Sequence, residues 1–234
     1  MVIGGLQKMT LLDFPGRVAC TVFLEGCNYR CPFCHNSGLL AGGGEPLMTA
    51  EALLDFLRKR RGMLDAVCVS GGEPTLHPDL PELLREIKTL GYQVKLDTNG
   101  SRPEVLRRLA EEGLVDYVAM DVKNSPARYA QTTGCPGVRL EDVESSLRFL
   151  LGGGVDIELR TTVVRELHDE ASIQDMGAWV QSLGGPNVVK RFFIQPYADR
   201  DSVLCKGLNR PEDEELGRFQ AALAPYAQQV EIRG

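Results

Sequence analysis

The stretch Val18-Ala-Cys-Thr-Val-Phe-Leu-Glu-Gly-Cys-Asn-Tyr-Arg-Cys-Pro-Phe-Cys34 carries a short apolar run straight into three cysteines spaced C-x3-C-x2-C. Val18 to Leu24 reads as a buried strand, being short, apolar and rich in β-branched and aromatic residues. Polar ligands gathered just past the end of such a strand fit the open and barrel-like α/β folds, which place their sites there. Thiolates are soft ligands that suit iron and sulfide, so Cys27, Cys31 and Cys34 can bind three irons of a cubane [4Fe-4S] cluster. The fourth iron is then left for a small molecule. From three cysteines alone other readings stand. Cys31-Pro-Phe-Cys34 is also a redox pair, with His35 it matches covalent haem attachment, and a further ligand nearby would complete a zinc site.

Outward from this stretch the strand pattern repeats. Candidate strands cover residues 18–24, 66–70, 93–97, 116–121, 156–164 and 191–195, and are read as apolar on both faces. Helical patterns fill the gaps: 50–61 after Thr49 as N-cap, 80–90, 103–112, 140–151 and 171–183, with a last one over 212–224. Gly91, Gly113, Gly152 and Gly184 stand where a helix ends in a left-handed residue. Strands each followed by a helix imply a parallel sheet with right-handed crossovers. Six such units, against the eight of a full barrel, predict an α/β fold of the partial (β/α)6 TIM-like type. One domain is expected over residues 1–234, with the cluster loop at 25–36 and a C-terminal edge segment at 229–234. Gly42-Gly43-Gly44 is read as a loop within that domain.

At 234 residues and 43% hydrophobic, the chain can bury one large core. A net charge of -6 offers no electrostatic footprint for nucleic acid or an anionic membrane. No apolar run approaches the ~20 residues that span a bilayer, and residues 1–8 lack a signal-peptide layout, so a cytoplasmic location is expected. Three of the seven cysteines lie within eight residues, which favours a metal site in a reducing compartment over disulfides. Cys20 and Cys68, inside apolar runs, are expected as core thiols, and Cys135 and Cys205 lie in loop-like surroundings.

Further residues of chemical interest fall at the ends of the later strands. Gly71 and Gly72 in Ser70-Gly-Gly-Glu-Pro74 let backbone approach a ligand closely, and Glu73 can accept hydrogen bonds from an ammonium group. Asp97 in Asp97-Thr-Asn-Gly100, with Asp121 and Lys123 in Met120-Asp-Val-Lys123, brings two carboxylates and an ammonium to one end of adjacent strands. Arg160 within a strand is costly unless paired, and is expected to face a polar cavity and an anionic partner, with a salt bridge to Asp121 or Glu158 as the structural alternative. Gln195 can bond a ligand's polar edge or cap its strand. Of the histidines, His35 is expected to pack or hydrogen-bond near the cluster, His77 to stand at a helix entry and His168 in a charged loop.

Taken together, the three cysteines with Phe33 between them and Gly71-Gly72-Glu73-Pro74 resemble a radical S-adenosylmethionine (radical SAM) enzyme. Ile3-Gly-Gly-Leu-Gln-Lys8, Asp13-Phe-Pro-Gly16, Cys34-His-Asn36, Lys95-Leu-Asp-Thr-Asn-Gly100, Asp116 to Lys123, Arg160-Thr-Thr-Val-Val164 and Val230 to Gly234 make the chain similar to the activating enzymes of glycyl-radical proteins. Those of anaerobic ribonucleoside-triphosphate reductase are the most alike. The resemblance implies that the open iron chelates S-adenosylmethionine and that reductive cleavage gives a 5'-deoxyadenosyl radical, which takes a glycine α-hydrogen from a partner protein. It implies Phe33 beside the adenine, Gly71, Gly72 and Glu73 at the methionine amino end, Lys123 and Arg160 at the carboxylate and ribose side, and cofactor contacts from Asn99 and Gln195. Asp97, Thr98, Met120 and Asp121 match positions that hold a monovalent cation in related activases, while Asp13 and Arg17 fall near where relatives meet the target peptide. A reduced flavodoxin or ferredoxin type protein is implied as electron donor. The chain departs from the family in lacking a second cysteine-rich insert, so one cluster is expected, and in carrying Pro196-Tyr-Ala198 where some activases have a histidine.

Overall fold

The computed structural model describes residues 1–43, 45–186 and 188–233. Gly44 of the glycine loop and Gly234 of the edge segment lie outside the described residues. Eight strands form one sheet in chain order: β1 (Ile3–Thr10), β2 (Ala19–Leu24), β3 (Ala66–Gly71), β4 (Gln93–Thr98), β5 (Tyr117–Asp121), β6 (Asp156–Val163), β7 (Arg191–Pro196) and β8 (Gln229–Ile232). The helices are α1 (Ala50–Lys59), α2 (Leu80–Thr89), α3 (Pro103–Glu111), α4 (Tyr129–Thr133), α5 (Leu140–Leu151), α6 (Glu170–Gly184) and α7 (Asp213–Leu223). β1 runs antiparallel to β2, and every later neighbour is parallel. The expected six βα units are β2 to β7, and β1 and β8 form the two edges of the incomplete barrel.

Thr49 caps α1 as expected, accepting from Ala52 N at 3.1 Å, and Gly91 and Gly113 take positive φ. At the other two predicted stops the turn comes one residue later, at Gly153 and Gly185. The sequence reading missed β1, whose Gly4, Gly5, Gln7 and Lys8 break the apolar pattern because an edge strand needs burial on only part of its length.

The larger correction concerns the strand faces. The parallel strands are not apolar on both sides; they alternate. In β4, Val94 and Leu96 pack outward into the layer of Leu83, Leu106 and Leu109 from the helices, while Lys95 and Asp97 are ion-paired to each other inside. In β6, Leu159 and Val163 join the same outer core, and Glu158 and Arg160 face inward to Tyr117 and Asp121. Helices cover only the outside, so the inside of the barrel is free to be polar. Cys20 lies in the outer core as expected, whereas Cys68, equally buried, stands on the inner side in the field of Asp97 and Lys95. Among the described residues no helix is long and apolar enough to cross a membrane.

Candidate active site

The cysteine loop leaves the end of β2 and is held on all sides by main-chain bonds. Gly26 N donates to Leu39 O at 2.6 Å, Glu73 N to Gly26 O at 2.8 Å, Arg30 N to Thr133 O at 2.8 Å and Cys205 N to Pro32 O at 2.9 Å. Asn28 joins from the β4 side, accepting from Asn99 Nδ2 at 3.0 Å and donating to Ser101 Oγ at 2.9 Å. The loop is therefore not an appendage: Tyr29, Cys31 and Phe33 are buried and belong to the main core.

Gly71 and Gly72 owe their lack of a side chain to this packing. Gly71 has φ +115°, and a Cβ there would lie 2.3 Å from Leu24 O; one on Gly72 would lie 2.1 Å from Gly26 O. The two glycines let β3 and the entry to the cysteine loop touch backbone to backbone. Glu73 next to them is fully buried and fully used within the chain. One oxygen takes Thr75 N at 3.0 Å, the Thr75 hydroxyl and Thr98 Oγ1 at 2.8 Å, and the other takes Asn99 N at 2.6 Å. Burial pushes its pKa up, against these bonds. Glu73, expected at a ligand ammonium, ties the β3 turn to the β4 turn through these four donors and is not among the residues that line the cavity above.

Above these turns lies a cavity of about 200 Å³, roomy enough for on the order of a dozen waters. Cys27, Cys31 and Cys34 all line it, together with Phe33, Gly71, Gly72, Asp97, Thr98, Asn99, Asp121, Lys123 and Arg160. Most of the predicted cofactor residues are thus brought to one place. Glu73 and Gln195 are not among the lining residues. Thr162, next but one to Arg160 on the same strand face, lines the wall in register with Gln195. Arg17 lies at the far end of the strands, lining a separate hollow with Asp65 and Gln93, while Asp13 accepts from Thr21 Oγ1 at 2.5 Å midway along β2 and acts on Cys68 beside it. Between them Phe14 is buried against Tyr117, with ring centroids 5.5 Å apart.

The charged groups form one alternating row down the lumen. Lys123 Nζ lies 2.9 Å from Asp121, Arg160 Nε 2.9 Å from Asp121 and its Nη1 3.2 Å from Asp97, and Lys95 Nζ 2.7 Å from Asp97. Below, Glu158 lies 3.7 Å from Lys95 and 3.5 Å from Arg233, which stacks over Phe193. Burial alone would raise the Asp97 and Asp121 pKa values, but the neighbouring Arg160 with Lys95 or Lys123 outweighs it and holds both carboxyls below the usual range. Burial likewise opposes the charge on Lys123, and Asp121 more than offsets it. The structural alternative for Arg160 is met at Asp121 and joined by Asp97. Both carboxylates expected beside a monovalent cation already carry protein cations.

The donor set suits an iron–sulfur cluster and its ligand. Three free thiols face one cavity, and among the described residues no three His, Cys, Asp or Glu side chains close tightly around a single point. Burial pushes the thiols up, Cys31 to about 11, so metal uptake must expel their protons, with Lys123 favouring the thiolate of Cys31. Lys123 spends one of its three N–H bonds on Asp121 and Arg160 two of its five on the carboxylates, which leaves donors for a bound carboxylate. Each of the three histidines holds a main-chain carbonyl: His35, which lines the cavity and hydrogen-bonds as expected, that of Ala198 at 2.7 Å, His77 that of Glu25 at 2.7 Å and His168 that of Lys123 at 2.9 Å. Their local sequence carries no signal of this, since the partners lie 163, 52 and 45 residues away.

Residues 21–176 match the model of the radical SAM superfamily. The chain is 31% identical to a Methanocaldococcus jannaschii protein provisionally named a glycyl-radical enzyme activating enzyme, over 99% of this chain and 95% of that one. It is 32% identical to the pyruvate formate-lyase-activating enzyme of Clostridium pasteurianum over 72% of each chain. In fold it resembles a crystallised domain of a pyruvate-formate lyase-activating enzyme from Bacteroides vulgatus, with a TM-score of 0.59 at 22% identity, covering 72% of this chain and 99% of that domain.

Proposed function

Because this chain belongs to the radical SAM superfamily, whose enzymes use a [4Fe-4S] cluster with S-adenosylmethionine, we propose that it activates a glycyl-radical enzyme. The observation that supports this best is the single cavity lined at once by three thiols and by the paired cations Lys123 and Arg160. When bound, cluster and cofactor supply a one-electron cleavage of the sulfonium bond, which ends with a glycine α-hydrogen on 5'-deoxyadenosine and the radical on the partner's glycine.

The chain's own residues bind, orient and exclude water. Cys27, Cys31 and Cys34 hold the cluster, and the buried Phe33 gives the adenine an apolar wall. Lys123 and Arg160 offer their spare N–H groups to the methionine carboxylate, while Asp121 and Asp97 keep both cations aimed and charged. Gly71 and Gly72 present backbone groups to the methionine amino end, and Glu73 acts behind them by fixing Thr98 and Asn99.

The proposed partner is the anaerobic ribonucleoside-triphosphate reductase, on the residues cited for that likeness. Pyruvate formate-lyase is the second candidate, favoured by the Clostridium relative. A reduced flavodoxin or ferredoxin type protein is proposed as electron donor. The deciding experiment incubates the reduced, cluster-loaded protein with cofactor and each candidate partner and looks for a glycyl doublet by electron paramagnetic resonance. Cofactor cleavage with no doublet from either partner would instead point to a radical SAM enzyme acting on a small molecule or another peptide.

A further inference from the structure

Sequence marks His168 only as part of a charged loop, Arg165-Glu-Leu-His-Asp-Glu170. The fold buries it, at 3% exposure, between the ends of β5 and β6. Its Nε2 lies 2.9 Å from the carbonyl oxygen of Lys123, an acceptor only, so Nε2 carries the proton and donates. Its Nδ1 lies 3.1 Å from Val164 N and 3.3 Å from Val164 O, so this side of the ring is held by the main chain of Val164. Burial depresses the ring's pKa and so favours the neutral imidazole. The ring is thereby a fixed strut between the backbone that ends β6 and the carbonyl of a residue whose side chain enters the cavity.

A second tie runs alongside. Asn124, fully buried, donates to Leu167 O at 2.8 Å and to Thr132 Oγ1 at 2.9 Å, and its oxygen takes Ser125 N at 2.7 Å. Val122 N still donates to Arg160 O of β6 at 2.8 Å, and beyond it these side chains hold the loop that follows β5.

We propose that His168 is a positioning residue for S-adenosylmethionine: it sets the Lys123 main chain, and through it the ammonium group that meets the cofactor carboxylate. This rests on the reading of the cavity given above. The geometry that argues for it is the direct bond to Lys123, the anchoring of the ring on the Val164 main chain and the absence of His168 from the cavity wall.

The test is a double-mutant cycle read as binding of S-adenosylmethionine to the anaerobic, cluster-loaded protein by equilibrium dialysis, with iron content and thermal melting measured on every variant. His168→Ala is expected to weaken binding about two- to tenfold, the worth of one buried hydrogen bond, with iron content unchanged. His168→Gln, whose amide can still donate to the Lys123 carbonyl, is expected to recover most of that loss. His168→Ala combined with Lys123→Ala is expected to bind no more weakly than Lys123→Ala alone, because a residue that acts only through Lys123 has nothing left to act on. Additive losses would overturn the proposal, as would an unchanged affinity in His168→Ala. Failure of both single His168 variants to fold and load iron would also overturn it, by making His168 a support of the core. If the parent protein loads iron yet does not bind the cofactor, it is the reading of the cavity that fails.

Discussion

Replacing Gly72 by alanine adds one methyl group at the seam between β3 and the cysteine loop. The new Cβ would lie 2.1 Å from the carbonyl oxygen of Gly26, 2.6 Å from its carbon and 3.3 Å from Cys27 Cβ. Real Cβ contacts essentially never fall below 3.0 Å, so the seam must open by close to an ångström. The obstacle is main chain and cannot swing aside as a side chain would. Overpacking of this kind costs about 1–3 kcal/mol. The displaced Gly26 oxygen also gives up its 2.8 Å bond from Glu73 N, worth about 1 kcal/mol. A total of about 2–4 kcal/mol corresponds to a fall in melting temperature of roughly 5–15 °C for a domain of this size. Circular dichroism melts of the metal-free protein measure the stability, and iron per chain after anaerobic reconstitution measures whether Cys27 is still in place. Gly38→Ala is the control, since a Cβ there meets nothing within 4 Å, and it should change stability by no more than about 1 kcal/mol. If Gly72→Ala melts within a degree of the parent and takes up a full cluster, the steric account of the Gly-Gly pair is wrong.

Other outcomes follow from the lumen and the loop. Asp97→Asn leaves Lys95, at 1% exposure, with its nearest remaining carboxylate oxygen 3.7 Å away on Glu158, and should cost about 3–5 kcal/mol in urea unfolding. A loss under 1 kcal/mol would mean that Glu158 takes over. Because the folded-state pKa values of Asp97 and Asp121 are lowered, their contribution is complete above the ordinary carboxylate value of about 3.9 and is lost as pH falls below it. The metal-free protein should therefore lose stability steeply below about pH 4, and Asp97→Asn should flatten that slope; a slope unchanged in the variant would remove Asp97 from the account. Cys31→Ala should abolish iron binding and cofactor cleavage while the sheet stays folded, at a cost of about 1 kcal/mol because the thiol is buried, as read from iron analysis and melting together.

Much of this was legible in the sequence because the chemistry and the strands share one period. Cys27, Cys31 and Cys34, the Gly-Gly pair, Asp97, Asp121, Lys123 and Arg160 stand where runs of apolar residues end, and a parallel sheet gathers such ends on one rim. The polar lumen was written in the alternation of Gln93-Val-Lys-Leu-Asp97 and Glu158-Leu-Arg160, yet apolar content alone suggested strands buried on both faces. What local pattern could not reveal was partnership at a distance. Glu73 looks like a ligand contact until Thr98 and Asn99 are found on its oxygens, 25 and 26 residues on. Arg17 looks close to the cysteines in sequence, but one traverse of β2 carries it to the opposite end, and Asp13 reaches back only as far as Thr21.

The ionic row in the lumen has an uneven parity. Lys123, Arg160, Lys95 and Arg233 make four cations against the three carboxylates Asp121, Asp97 and Glu158. The carboxylates of Glu73 and Asp13 lie close by without joining the row, the first acting on Cys27 and the second on Cys68, and the end at Lys123 faces thiols that are neutral until metal takes their protons. Assembly of the cluster thus sets new thiolate charge beside the Lys123 ammonium, so the negative charge that metal uptake creates at the sulfurs meets a cation already in place.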